Sequence, residues 1–191
     1  MKQIAAFTSI LLCSAALLAL DENAPDPGIP AVDGPPGSPP MMMPPHVGSV
    51  ELEMLKGMIG RWETDDPMGK GGDMANMGVE YHLTANGSAV VERTAPGTPM
   101  EMMSVYHDTG GVLTMTHYCM LGNQPRMKLE SASGGQLTMS FDGTGVDDPD
   151  APHMHSVTIA FNGPDEMSQT WAMHESGDKA KENTMVFHRV Q

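Results

Sequence analysis

The sequence predicts an all-β fold: a single antiparallel up-and-down β-barrel of about ten strands, entered through one short helix. Three observations predict it. From Arg61 to Val190, short runs alternate apolar and polar residues, the period of a half-buried strand. Turns of hairpin length separate the runs, with Asn86-Gly87 the clearest signal. After Gly57 nearly every run is strand-like. Closure into a barrel is the natural way for so many antiparallel strands to remove their edges. A two-sheet sandwich is the competing architecture, and the chain lacks the cysteine pair of an immunoglobulin-type domain.

Taken in order, Ser49 is placed to cap a helix running to Lys56, with Glu51 and Glu53 near its first turn, where the dipole favours anions. Leu52, Leu55 and Met58 share one face. Gly57 and Gly60 end the helix, and Arg61-Trp62-Glu63-Thr64 starts the first strand. Strands follow at 79–84, 88–94, 100–107, 112–120 and 126–133, then from Leu137 to Phe141. An acidic loop, Asp147-Asp148-Pro149-Asp150, precedes strands at 153–161, 167–174 and 183–190. Tyr81 and His82 alternate, so only one points inward.

Ahead of this domain, residues 1–20 read as a signal peptide: Lys2 is the positive end and Ile4 to Leu20 the apolar run. The run is short for a membrane span. The chain is therefore expected to be exported, to the periplasm or beyond the cell, with no stable membrane span after cleavage. Cys13 lacks the small residue that precedes a lipidated cysteine, and is read as part of the removed peptide. Residues 21–48 are rich in Pro, Gly, Met and Asp. They cannot bury enough apolar surface to offset ordering, and read as a disordered tether reaching at most roughly 90 Å. The folded domain is expected to be 49–191.

The short helix, Gly60-Arg61-Trp62 at the first strand and Arg189 in the last resemble the calycin group of barrels: lipocalins, fatty-acid-binding proteins and nitrobindin-like domains. The resemblance implies that Trp62 at the closed end packs against Arg189. Gly97 to Met102, Val105-Tyr106-His107 and Leu113 to Met127 are similar to exported bacterial proteins of unknown function with a lipocalin-like barrel, a family that implies no settled activity. The nitrobindin likeness implies His188 as a haem ligand.

Charge narrows the partners. The net charge is -14, with 24 acidic and 10 basic residues. A nucleic-acid surface needs clustered Lys and Arg, and none occurs. The 20 methionines read as adaptable core filler, or as soft thioether ligands for Cu(I). Met41-Met42-Met43-Pro44-Pro45-His46 resembles a methionine-rich copper motif.

The candidate site lies between Pro99 and Met127. This stretch holds two of the three tyrosines, two of the eight histidines and Cys119. Leu113, Met115, His117, Cys119 and Leu121 share the mostly apolar face, which is expected to point inward. His117 and Cys119 then lie in the barrel interior, with Glu101 and Tyr106 as neighbours. They read as a satisfied core pair, as the polar part of a ligand cavity, or as a cysteine–histidine nucleophile pair without an orienting third residue. Asn123, Gln124 and Arg126 form a polar loop expected either at the barrel mouth or locked as a turn, with Arg126 bonded to carbonyls or to Glu101.

Trp171 and Met173 share a face and are expected to line the core. His153 and His155 place two imidazoles on one strand face, an incomplete metal pair. No phosphate loop, Gly-x-Ser-x-Gly, His-Glu-x-x-His or Cys-x-x-Cys occurs, and no cofactor follows from the motifs. The leading reading is an exported binding module for a small hydrophobic or amphipathic ligand. Copper or haem binding, and an enzyme using His117, Cys119 or Glu101, are the alternatives.

Overall fold

The computed structural model describes residues 44–64, 78–175 and 178–191. The expected signal peptide, Cys13, most of the tether and Met41 to Met43 lie outside the described residues.

Ten antiparallel strands close a barrel in which each strand pairs with its neighbours in sequence and the first pairs with the last. They are β1 (Gly60–Glu63), β2 (Val79–Thr84), β3 (Ala89–Thr94), β4 (Met102–Thr109), β5 (Val112–Tyr118), β6 (Arg126–Ser133), β7 (Gln136–Phe141), β8 (His153–Phe161), β9 (Glu166–Glu175) and β10 (Asp178–Arg189). The only helix among the described residues is α1 (Val50–Lys56), apart from a 3-10 turn at Ala85–Gly87. That turn joins β2 to β3, so the Asn-Gly hairpin expected from the sequence forms. The last pair across it is Thr84 with Ala89, and Ala85, Asn86 and Gly87 all take positive φ.

The helix forms for the anticipated reasons. Ser49 Oγ accepts the Leu52 amide at 3.1 Å, and Lys56 sits in the last turn, where a cation suits the dipole. Leu52, Leu55 and Met58 are buried in the same core cluster as Trp62. Ser49 also anchors the helix to the barrel, donating through N and Oγ to the two Asp108 carboxylate oxygens at 2.7 and 2.8 Å. The chain just before it is held too. The His46 amide donates to Asn86 O at 2.9 Å, and Asn86 Nδ2 donates to Pro44 O at 2.8 Å. The described end of the tether thus lies against the β2–β3 turn.

Trp62 and Arg189 pair as the resemblance implies. They are register partners on β1 and β10, and the guanidinium lies 4.2 Å over the indole ring. Arg189 also donates to the carbonyls of Ile59, Gly57 and Pro164 at 2.8 to 3.0 Å. Trp62 Nε1 donates to Met58 O at 2.8 Å. This plug and α1 occupy one end of the barrel. Because strand direction alternates, the β3–β4, β5–β6 and β7–β8 connections lie at the opposite end.

One expectation about orientation changes. Leu113, Met115 and His117 point inward and are buried, but β5 ends at Tyr118. Cys119 is half-exposed and Leu121 is exposed. The inward alternation stops because the chain turns there: the Cys119 amide bonds Asn123 O at 3.1 Å and its carbonyl accepts Gly122 N at 2.9 Å.

Candidate functional site

The barrel interior carries a row of polar side chains across four strands. Tyr81 on β2 is the register partner of Glu92 on β3, Glu92 that of Ser104 on β4, and Ser104 that of His117 on β5. Residues directly opposite on adjacent strands project to the same face, so all four face the lumen, and all four are buried.

Their hydrogen bonds join into a network. Tyr106 Oη donates to Glu92 Oε2 at 2.8 Å, and Thr94 Oγ1 donates to Glu92 Oε1 at 3.2 Å. Tyr81 Oη lies beside this group and donates to Met167 Sδ at 4.0 Å. Gln169 Nε2 donates to Tyr81 Oη at 2.7 Å, while its Oε1 accepts Trp171 Nε1 at 2.9 Å. Ser104 Oγ lies 3.0 Å from His117 Nδ1. The His117 ring packs on Trp171 across the lumen at 4.8 Å between centroids.

One atom of this network has no partner. His117 is only 1 % exposed, and its Nε2 is buried without a hydrogen bond. An unsatisfied buried nitrogen costs the full desolvation of that group. Burial accordingly pushes the His117 pKa down from 6.5 to about 4, so the ring is neutral at physiological pH. Glu92 is shifted the other way. Burial raises its pKa, and the hydrogen bonds from Tyr106, Tyr81, Gln169 and Thr94 only partly offset that rise. Burial beside Glu92 also lifts both tyrosines well above the ordinary phenol range.

The expected site residues separate into three groups. Tyr106, His117 and Trp171 meet in the lumen. Glu101 does not join them: it precedes β4, and Arg93 grips it outside the barrel at 2.8 and 2.9 Å. That ion pair holds the Glu101 carboxyl below its usual range. Arg93, not Arg126, is therefore the partner of Glu101. Cys119 stands at the strand end, so His117, Cys119 and Glu101 do not form one constellation.

The second group is the rim. Asn123, Gln124 and Arg126 lie at the end opposite α1. Gln124 N bonds Gly145 O and Arg126 N bonds Thr144 O, both at 3.0 Å. Asn123 Nδ2 donates to Pro152 O at 2.9 Å, while its Oδ1 is buried without a partner. Arg126 faces Asp142 at 3.8 Å. Gly145 is required for this clasp: at φ +83° its added Cβ would lie 1.9 Å from Gln124 O.

The third group is a histidine cluster at the same end. His153 and His155 on β8 meet at 3.1 Å between Nε2 and Nδ1. His174, the register partner of His153 on β9, joins them with ring centroids 5.1 and 5.9 Å away. His153 Nδ1 lies 2.8 Å from the Ala151 carbonyl, and Phe141 packs on its ring at 4.4 Å. Partial burial and the two neighbouring imidazoles lower the His155 pKa. Among the described residues, no three His, Cys, Asp or Glu side chains are arranged to hold a metal ion. His188 stands apart on β10, half-exposed beside Glu166 at 3.9 Å.

Sequence reasoning missed Glu92, Ser104 and Gln169. The available signal was polar residues on the inward face of otherwise apolar strands: Glu92 follows Val90 at strand spacing, and Gln169 lies between Met167 and Trp171. No protein-family model matches the chain, and no curated protein matches it. The closed ten-stranded barrel is consistent with a calycin-like fold, and among the described residues no helix is long and apolar enough to cross a membrane.

Proposed function

We propose that this chain is an exported binding module that takes a small hydrophobic or amphipathic ligand into the barrel lumen and acts by binding rather than catalysis. The observation that carries the reading is His117 Nε2: buried, neutral, and without a hydrogen-bond partner. Buried polar atoms are almost always satisfied, and an exception on the inner wall of a barrel is where a ligand's polar group belongs. The surroundings suit an amphipathic guest, since Met115, Met127, Leu137, Met139 and Ile159 are buried in the core cluster that adjoins the polar row. Methionine's flexible thioether adapts to ligand shape. Export accords with the apolar N-terminal run and the acidic composition.

The test is native mass spectrometry of the purified full chain, followed by titration with apolar probes read by tryptophan emission. The expected result is a co-purifying small molecule or saturable binding that His117→Phe alters. A chain that carries nothing and binds no apolar probe would refute the reading.

A further inference from the structure

We propose that the histidine cluster at the barrel rim is a binding site for a divalent transition-metal ion, zinc or copper(II), held by His153 Nε2 and His155 Nδ1. The site stands apart from the polar row of the lumen, and the proposal does not rest on the binding reading above.

The strand is bent to make the pair. On a regular strand, residues two positions apart are separated by roughly 6.5–7 Å. β8 carries a register shift against β9 between Met154 and Ser156, an irregularity of the kind that re-aims a side chain. His155 is the residue inside that shift, and its Nδ1 comes within 3.1 Å of His153 Nε2. Two nitrogens bound to one ion at about 2.0–2.1 Å stand about 2.9 Å apart at a right angle and about 3.3 Å apart at a tetrahedral one. The observed separation lies between these values.

A backbone carbonyl aims the first nitrogen. His153 Nδ1 lies 2.8 Å from Ala151 O. A carbonyl oxygen can accept but not donate, so Nδ1 carries the ring hydrogen, and Nε2 of the neutral ring is a bare acceptor. A carbonyl on the far nitrogen is a common support of a metal-bound histidine. Phe141 packs on the two rings at 4.4 and 5.8 Å between centroids, and His153 is buried, which holds its orientation. His155 is exposed and opens the pair to solvent. Without metal, His155 Nδ1–H donates to His153 Nε2. When an ion enters, that hydrogen is exchanged through solvent to His155 Nε2. Both rings stay neutral, and the ion takes the place of the proton between them.

The ligand type selects the ion. Neutral imidazoles suit zinc and copper(II), whereas magnesium and calcium take oxygen. Among the described residues no three His, Cys, Asp or Glu side chains are arranged around one ion, so water fills the positions that the pair leaves open. The net charge of -14 and Asp147, Asp148 and Asp150, in the connection leading into β8, raise the local cation concentration.

The experiment titrates the purified full chain with zinc chloride by calorimetry near neutral pH, with magnesium chloride as the comparison, and follows the imidazole nitrogens by NMR. The expected result is saturable zinc binding, none for magnesium, and movement of the His153 and His155 ring signals together. His155→Gln, at an exposed position, is expected to weaken zinc binding by about tenfold or more. His46→Gln, beside the methionine run, is expected to leave it unchanged. The wild-type NMR needs no variant and stands if a substitution impairs folding. The proposal is overturned if zinc fails to bind, if magnesium binds as tightly, or if neither ring signal moves. It is also overturned if zinc binds His155→Gln as tightly as wild type, or if the loss is confined to His46→Gln. Each of these outcomes leaves the lumen reading in place.

Discussion

Ser104 Oγ and His117 Nδ1 face each other at 3.0 Å across neighbouring strands, and the same row places a buried nitrogen without a partner, His117 Nε2, two strands from the buried Glu92 carboxyl group. A wholly apolar barrel would be simpler to stabilise. Here a polar row runs from Tyr81 to His117, and each group's behaviour follows from its neighbours in that row.

His117 makes stability pH-dependent. Its folded pKa, about 4, lies below the ordinary 6.5, so the unfolded chain binds the proton more readily. Stability is full above the unfolded value and is lost as pH falls from 6.5 toward 4. Between about pH 7.5 and about pH 5 the loss from this residue should be roughly 2 kcal/mol. Urea unfolding of wild type and His117→Gln at both pH values measures it as the difference in slope. Equal pH dependence in the two proteins would contradict the buried neutral imidazole.

Glu92 acts with the opposite sign. Its folded pKa is raised above the ordinary 4.5, so its contribution declines as pH rises past that value. Glu92→Leu removes this decline but strands the Tyr106 and Thr94 donors. A net loss of about 2 kcal/mol or more near neutral pH is expected, at 1–3 kcal/mol for each buried donor left unsatisfied. A variant as stable as wild type would show that the hydrogen bonds to Glu92 are energetically idle.

Arg189 holds the closed end through three backbone carbonyls and the Trp62 face. Arg189→Ala should cost about 1–3 kcal/mol, from the lost hydrogen bonds to exposed carbonyls and the cation–π contact. Arg189→Lys should recover less than half, because an ammonium lacks the planar fork. Thermal unfolding of the pair reads this directly. Full recovery by lysine would mean that charge alone matters there.

Gly145 and Gly143 give a matched pair at the rim. Both have positive φ, near +83° and +88°. A methyl at Gly145 collides with Gln124 O, whereas one at Gly143 meets nothing within 4 Å. Gly143→Ala should cost only the backbone penalty, about 1 kcal/mol. Gly145→Ala should cost more and open the clasp, seen as faster hydrogen exchange at the Gln124 and Arg126 amides. Equal exchange in both variants would remove Gly145 from the clasp.

The barrel was legible from local pattern. Strand alternation, Asn86-Gly87 and the Ser49 cap are properties of near neighbours, and the geometry they dictate needs no tertiary information. The inward placement of Leu113, Met115 and His117 follows from the same period. The pairing of Trp62 with Arg189 was accessible only through the calycin resemblance, since 127 positions separate them. Cys119 shows where the pattern fails. Period-two alternation holds only while the strand continues, and hydrogen bonds at Cys119, Gly122 and Asn123 end it two residues early.

What the sequence by itself determined was the fold class, the helix that opens the domain, and the inward placement of Leu113, Met115 and His117. Only the tertiary structure decided the site. Register brings Tyr81, Glu92, Ser104 and His117 into one row, and closure carries Trp171 across the lumen onto His117. Closure also delivers Gln169 to Tyr81, 88 positions away. The physical reason is that alternation specifies a side chain's face, whereas its partners depend on strand pairing and barrel closure, which depend on every strand at once.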